Sequence, residues 1–268
     1  MSNPSTDYLL AGRASELERL QLQSIVWEPA ARALLSKLSP GTGLRAVDLG
    51  CGVMGWLRAL SAWVGDSGHV TGTDVDERML AGAKDFVERE RLSNVALVKD
   101  DLFNSQLPPH TFDLVHSRFQ IAPLGRAGQQ LAAYTRLLKP GGILVIEDPD
   151  LASWRINPIG PAVQKLIALI ERGFESAGGN FNSGRELPAI VRKAGVEPHV
   201  LANVVALEPG HPYLRLPLQF AASLRPRLEA LISVAELNRL LEQAEAELTH
   251  PEAWGTTFTL IQIYATVA

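Results

Sequence analysis

Residues Ala46-Val47-Asp48-Leu49 form a short apolar run that ends in Gly50-Cys51-Gly52-Val53-Met54-Gly55, and Asp74 follows 19 residues after Gly55. A strand, a turn free of side chains, and a second strand ending in a carboxylate is how an open α/β sheet grips a nucleoside. Main chain approaches one end of the ligand and the acid holds the ribose hydroxyls. The pattern makes a nucleoside-bearing cofactor readable and leaves the substrate open.

The surrounding chain alternates strand-like and helix-like apolar periods, as repeated βα units do. The periods predict strands at about 44–49, 69–73, 95–99, 113–116 and 142–147, short and β-branched or apolar as buried parallel strands are. Helices are predicted at about 56–64, 77–90 and 128–138, the last ended by Lys139-Pro140-Gly141-Gly142. Ser15 to Leu38 is helical in character and is expected to divide near Pro29, because proline removes a helical N–H.

Beyond the fifth strand Pro149, Pro158 and Pro161 interrupt the rhythm before a helix carrying Val163, Leu166, Ile167, Ile170 and Phe174 on one face. A short helix at about 186–194, a strand at 200–207 and a proline-rich passage from Pro209 to Pro226 follow. A second amphipathic helix over Arg225–His250, with Leu228, Leu231, Ile232, Ala235, Leu241 and Ala244, reads as an insertion or a dimer surface. The final strand is expected over 257–267.

Composition removes several classes of function. A formal charge of −4 and no dense Lys/Arg stripe disfavour nucleic acid as a partner. No apolar run reaches the roughly 18 residues of a membrane span, and residues 1–18 lack a signal-peptide core, so the expectation is a soluble, cytoplasmic protein that does not engage a membrane. The lone Cys51 excludes an internal disulfide, and no close-spaced His pair marks a structural zinc site.

Val47 to Gly55, Asp74, Lys99-Asp100-Asp101-Leu102, Phe112-Asp113-Leu114-Val115 and Arg136-Leu137-Leu138-Lys139-Pro140-Gly141-Gly142, in that order, resemble the class I S-adenosylmethionine-dependent methyltransferases. The Leu-Leu-Lys-Pro-Gly-Gly-x-Leu segment is similar to small-molecule members of the ubiquinone and menaquinone type. Tyr8-Leu9-Leu10-Ala11-Gly12 with Glu16 and Arg19-Leu20 resembles the lid of bacterial members. The resemblance covers about residues 8–148. It implies an α/β, Rossmann-like, seven-stranded, mostly parallel sheet with helices on both faces, an N-terminal helical lid and a small helical cap insertion. The corresponding division is a lid over 1–43, a cofactor-binding core over 44–207 and 255–268, and cap helices over 149–185 and 208–254.

The resemblance also implies S-adenosylmethionine as cofactor and S-adenosylhomocysteine as product. Main chain at Gly50, Cys51 and Gly52 would close on the methionine and ribose, where a Cβ would intrude. Asp74 would accept both ribose hydroxyls, with a plain helix cap as its other reading. Val75 would cover one adenine face and Met79 would lie beneath it, or belong simply to the core. The adenine amino contact falls on Asp101, with Asp100 the competing choice and the Leu102 amide nearby. Ser117 and Arg118 would face the methionine end, Arg118 pairing with its carboxylate or with a structural partner. Tyr8 and Asp48 complete the set.

One departure bears on the cofactor. The family usually has Gly-x-Gly-x-Gly, whereas Gly50, Gly52 and Gly55 have the Gly-x-Gly-x-x-Gly spacing of dinucleotide enzymes. Asp48 before the turn and the acidic pair after the third strand favour S-adenosylmethionine over a nicotinamide. The default chemistry is in-line methyl transfer to a small molecule, with O-methylation in secondary metabolism expected. A base is an option, since an acidic acceptor gains from deprotonation. His116 is the candidate catalytic residue, against a satisfied structural histidine. Asp148 and Asp150 could bind a divalent cation, but carboxylate partners after the fourth strand are missing and no metal is expected. Trp27, Trp154, Phe174, Phe181, Tyr213 and Phe220 suggest an apolar, aromatic acceptor if they do not form a core. A homodimer, a non-methylating reaction such as cyclisation or decarboxylation on the same cofactor, and a nicotinamide oxidoreductase stay open.

Overall fold

The computed structural model describes residues 14–157 and 160–268. Tyr8, the motif around it and Pro158 lie outside the described residues. The chain runs α1 (Ala14–Leu35), β1 (Arg45–Leu49), α2 (Leu57–Val64), β2 (His69–Asp74), α3 (Glu77–Glu90), β3 (Val95–Lys99) and β4 (Phe112–Arg118). Next come α4 (Ile121–Leu124), α5 (Ala127–Leu137), β5 (Leu138–Asp150), β6 (Arg155–Asn157), α6 (Pro161–Glu175), α7 (Leu187–Lys193), β7 (His199–Asn203) and β8 (Ala206–Leu207). The last elements are α8 (Leu216–Ser223), α9 (Arg225–Leu228), α10 (Val234–Leu248), β9 (Trp254–Thr256) and β10 (Thr259–Thr266).

Seven strands form one sheet in the order β3-β2-β1-β4-β5-β10-β7. The first five pair in parallel and β10 runs antiparallel to both neighbours. Strand order reverses between β1 and β4, and the crevice at such a reversal, beyond the carboxyl ends of the strands, is where open α/β sheets bind ligands. The predicted α/β sheet is the one observed.

Three local expectations are corrected. Pro29 does not divide α1, which is one helix of 22 residues. Pro29 and Ile25 are both exposed, so the Ile25 carbonyl that loses its partner faces solvent, while buried Val26, Trp27, Ala31 and Leu34 anchor both halves. The predicted strand over 200–207 is two, because the chain leaves the main sheet after Asn203. Val205 and Thr257 then exchange bonds, Val205 N–H to Thr257 Oγ1 at 3.1 Å and Thr257 N–H to the Val205 carbonyl at 2.9 Å. This pairing starts a second sheet, β6-β9-β8, that the sequence reading lacked. Over Arg225–His250 there are two helices, α10 starting afresh at Ser233, whose hydroxyl accepts the Glu236 N–H at 3.3 Å.

Two apolar cores lie near the nucleoside-binding end, joined by α1. Ala31, Leu34 and Leu35 pack with β1, α2 and α3 residues, whereas Val26 and Trp27 belong to a cap core built from α6, α8 and α10. All six aromatics from Trp27 to Phe220 named above are buried in that cap core. Leu237, Ala244 and Leu248 of α10 are buried in it too, so the stripe read as a dimer surface is covered within the chain; Ala235 alone of that stripe stays exposed.

Candidate active site

The turn after β1 needs glycine for reasons that the structure separates. Gly50 and Gly52 have φ of 68° and 56°, left-handed values that other residues adopt at a cost. A Cβ at Gly52 would meet only Leu20, at 3.9 Å, so the main chain there is open to a ligand. Gly55 serves a different end: a Cβ there would collide with the Asp48 carboxylate and the Cys51 backbone. The third glycine therefore makes room for Asp48, which accepts the Trp56 N–H at 2.7 Å and ties the far side of the turn to β1.

Asp74 closes β2 with its carboxylate turned to this loop, accepting the Gly52 N–H at 3.0 Å and the Asp76 N–H at 2.9 Å. Burial pushes its carboxyl above the usual range, partly offset by those N–H donors. The cap of α3 is Asp76, which accepts the Arg78 N–H at 2.8 Å, so capping is not the task of Asp74. Beside it Val75 is 53 % exposed, an uncovered apolar platform, while Met79 is buried in the core below.

The acidic pair after β3 is divided. Asp101 is exposed and accepts from Phe103 N–H at 2.9 Å and Asn104 Nδ2 at 3.0 Å, with half-buried Leu102 between them. Asp100 points inward, accepting the Gln106 N–H at 2.8 Å. Across the turn Gln120, which the sequence reading missed, lies over Gly50 and donates to its carbonyl at 3.4 Å. The buried Cys51 thiol is held well above its usual value by burial and by Asp48 and Asp74.

After β4 the two candidates diverge. The Ser117 hydroxyl is engaged with Tyr134 at 2.9 Å, and its main chain lies in the sheet between Leu49 of β1 and Ile146 of β5. Arg118 is buried, donates to Ser24 of α1 at 3.0 Å and approaches Glu147 at 3.9 Å.

His116, the candidate base, is enclosed between two carboxylates. Its ring is fully buried, with Nδ1 2.7 Å from Asp48 Oδ1 and Nε2 3.3 Å from Glu147 Oε2, so no lone pair is directed at an acceptor. The carboxylate pair does not assemble either. Asp150 pairs with Arg185 at 2.7 Å, and Asp148 is buried against the Ala122 N–H at 3.3 Å with its carboxyl raised well above the usual range by burial. Among the described residues no group of three His, Cys, Asp or Glu side chains is arranged to hold a metal ion.

Above the carboxyl ends of β4 and β5 a small cavity is lined by Phe119, Pro123, Pro149, Phe181, Phe220 and Phe258, with Arg19 and Gln23 on its lid side. Arg19 is fixed by two bonds to Glu16, at 2.9 and 2.6 Å, and one to Gln23 at 2.9 Å. Of the six aromatics singled out in the sequence, Phe181 and Phe220 line the cavity. Phe119 and Phe258 were missed because Phe119 lies beyond the predicted fourth strand and Phe258 was read only as part of the final strand.

The sheet is that of the Rossmann-like methyltransferase fold. A crystal structure of an S-adenosylmethionine-dependent methyltransferase from Aquifex aeolicus superposes with a TM-score of 0.58 at 19 % identity, over 96 % of this chain and 100 % of that one. Haemonchus contortus phosphoethanolamine N-methyltransferase 2, solved with S-adenosylmethionine, gives 0.56 at 18 % identity over 100 % and 60 % of the two chains. The profile of a family described as a methyltransferase domain matches residues 46–142. A demethylmenaquinone methyltransferase of Bacillus cereus is 30 % identical over 167 residues, 58 % of this chain and 70 % of the relative. The chain belongs to the class I S-adenosylmethionine-dependent methyltransferases, in the ubiquinone and menaquinone group. The open main chain at Gly52, the Asp74 carboxylate beside it and the bare Val75 face fit a nucleoside of that kind.

Proposed function

We propose that the protein methylates a small, flat, apolar acceptor at oxygen, in a pathway of secondary metabolism. The observation that supports this reading is the apolar lining of four phenylalanines and two prolines, with Arg19 and Gln23 on its polar side, around a cavity of about 20 Å³ that has to widen at the lid to admit a ring. Phenylalanine faces suit an aromatic ring, and two side chains bearing N–H donors complement a ring oxygen. A quinone-type ring has the same chemistry, and demethylmenaquinone, which gives the Bacillus cereus relative its name, is one acceptor to try.

S-adenosylmethionine, when bound, supplies a methyl group already activated on a sulfonium. The chain then has mainly to align donor and acceptor in a dry pocket, an effect worth about 7–11 kcal/mol of barrier. In this proposal Gly50, Cys51 and Gly52 offer main chain to the methionine and ribose, and Asp74 takes the ribose hydroxyls. Val75 and Met79 flank the adenine, and Asp101 with the Leu102 amide reads its edge. Ser117 main chain and Arg118 hold the methionine end. The lid and cap helices close over the acceptor, and no side-chain base is required.

The test is calorimetric titration with S-adenosylmethionine, S-adenosylhomocysteine and NAD in parallel, followed by S-adenosylhomocysteine release with phenolic, polyketide-like and demethylated quinone acceptors. Binding of both sulfur ligands but not NAD, and a product methylated on oxygen, is expected. A product methylated only on carbon or nitrogen overturns the oxygen assignment, and turnover of cofactor without methylation overturns the transfer itself.

A further inference from the structure

A row of polar side chains, buried except at its half-buried end on the edge strand, crosses the sheet at the level of the glycine turn. It begins at Asp48 on β1, continues through His116 on β4 and Glu147 on β5, and reaches Gln262 on β10 and Asn203 on edge strand β7. Register places these residues side by side: Asp48 is opposite His116, Glu147 opposite Gln262, and Leu260 to Tyr264 of β10 run along β7. Glu147 accepts from Trp56 Nε1 at 2.8 Å and from Gln262 Nε2, and the Asn203 amide donates to Gln262 at 2.7 Å.

The ring nitrogens of His116 each face a carboxylate. A neutral imidazole has a single N–H and can donate to one of them; only the imidazolium satisfies both. Trp56 stacks on the ring, centroids 3.9 Å apart and planes 16° from parallel, and an indole face favours a cation. The charged groups around the ring are Asp48 from β1 and Glu147 from β5, with Arg118 of its own strand 3.9 Å beyond Glu147.

We infer that His116 is a positioning residue, held as an imidazolium clamped between Asp48 and Glu147, and that its charge sets the affinity of the glycine turn for the cofactor. The connection is short. Asp48 uses one oxygen for His116 and the other for the Trp56 N–H, which fixes the exit of the turn. When the ring loses its proton, either Asp48 or Glu147 loses its imidazole donor and keeps only its others, Trp56 N–H on Asp48 and Trp56 Nε1 with Gln262 Nε2 on Glu147, so a buried negative charge beside the turn goes uncompensated. Burial opposes the charged ring, but the two carboxylates outweigh it and raise the proton affinity above that of an ordinary histidine. Affinity is therefore highest at low pH and declines as the proton leaves.

The experiment measures the dissociation constant of S-adenosylhomocysteine by calorimetry from pH 5.5 to 9.5 for the wild type, His116→Gln and Glu147→Gln. The ligand's own amino group titrates alike with all three proteins, so differences between them are the readout. Binding by the wild type should weaken with rising pH by about tenfold more than binding by His116→Gln, which should be weaker at low pH and flatter throughout. Glu147→Gln, with one carboxylate fewer, should move the inflection to lower pH. Superimposable profiles, or an undisplaced inflection in Glu147→Gln, overturn the inference. Should the variants not fold, the His116 ring resonances of the wild type decide by NMR: a neutral ring at pH 7 overturns it and a charged one supports it. The inference rests on the glycine turn being the cofactor site. A wild type without affinity at any pH defeats that reading, whereas affinity independent of pH defeats only this one.

Discussion

Asp74 and Gly55 illustrate what single residues contribute. Asp74 accepts from N–H donors and forms no ion pair among the described residues, so its carboxylate is poised for hydroxyl donors. Hydrogen bonds to a charged group contribute about 1.5–3 kcal/mol each. Asp74→Ala should therefore weaken S-adenosylmethionine binding about 100-fold or more with the fold intact by circular dichroism, and an unchanged dissociation constant would remove Asp74 from the ribose site. The same scale marks the limit of sequence reading. Gly55 was legible as a glycine but not as the neighbour of the Asp48 carboxylate, because spacing carries no side-chain direction. His116 was legible as a titratable group near the cleft, yet its two carboxylate partners come from strands 68 and 31 residues away. Glu147 carried a signal that was passed over: an acid directly after the apolar run Ile143–Ile146 must be paired if that strand is central.

Among the elements, those built from local contacts were read best. β1, β2, β3 and α3 fall within a residue of their predicted ends, since their turns are written in Gly50, Gly52 and the Asp76 cap. The cap was read least well, because its boundaries depend on distant partners. Helix α6 starts at Gly160 without a local cap, and Glu247 of α10 supplies it instead, accepting the Val163 N–H at 2.8 Å and the Ala162 N–H at 3.2 Å. A carboxylate at a helix N-terminus contributes roughly 1 kcal/mol through capping and the helix dipole. Glu247→Ala should lower the thermal midpoint by about 2–4 °C without altering cofactor affinity, as differential scanning calorimetry and titration would measure. Unchanged stability would mean that solvent caps α6 equally well.

For the molecule as a whole, the buried ionisable groups give stability a direction with pH. His116, raised above 6.5, stabilises fully below that value, and the contribution is lost as pH rises through its higher folded value. Asp74 and Asp148, raised above 3.8, act in the same sense: each favours the folded chain when protonated and disfavours it once the buried carboxyl must ionise. Glu28, lowered by Arg58 and Arg32 against its own burial, acts oppositely but only near the acid end. Urea midpoints should therefore fall steadily between pH 6 and 9, and a midpoint that rises over this interval would contradict the charge states assigned here.

The row ending at Gln262 also has a meaning in time. Every residue that touches the nucleoside in the proposed site is synthesised by Arg118, yet the side chain that completes Glu147 is supplied 115 residues after it. Until β10 has left the ribosome and slotted between β5 and β7, a buried acid in the middle of the sheet lacks one of its donors. The sheet beside the glycine turn is thus completed by the last strand in the chain, which lies between β5 and β7.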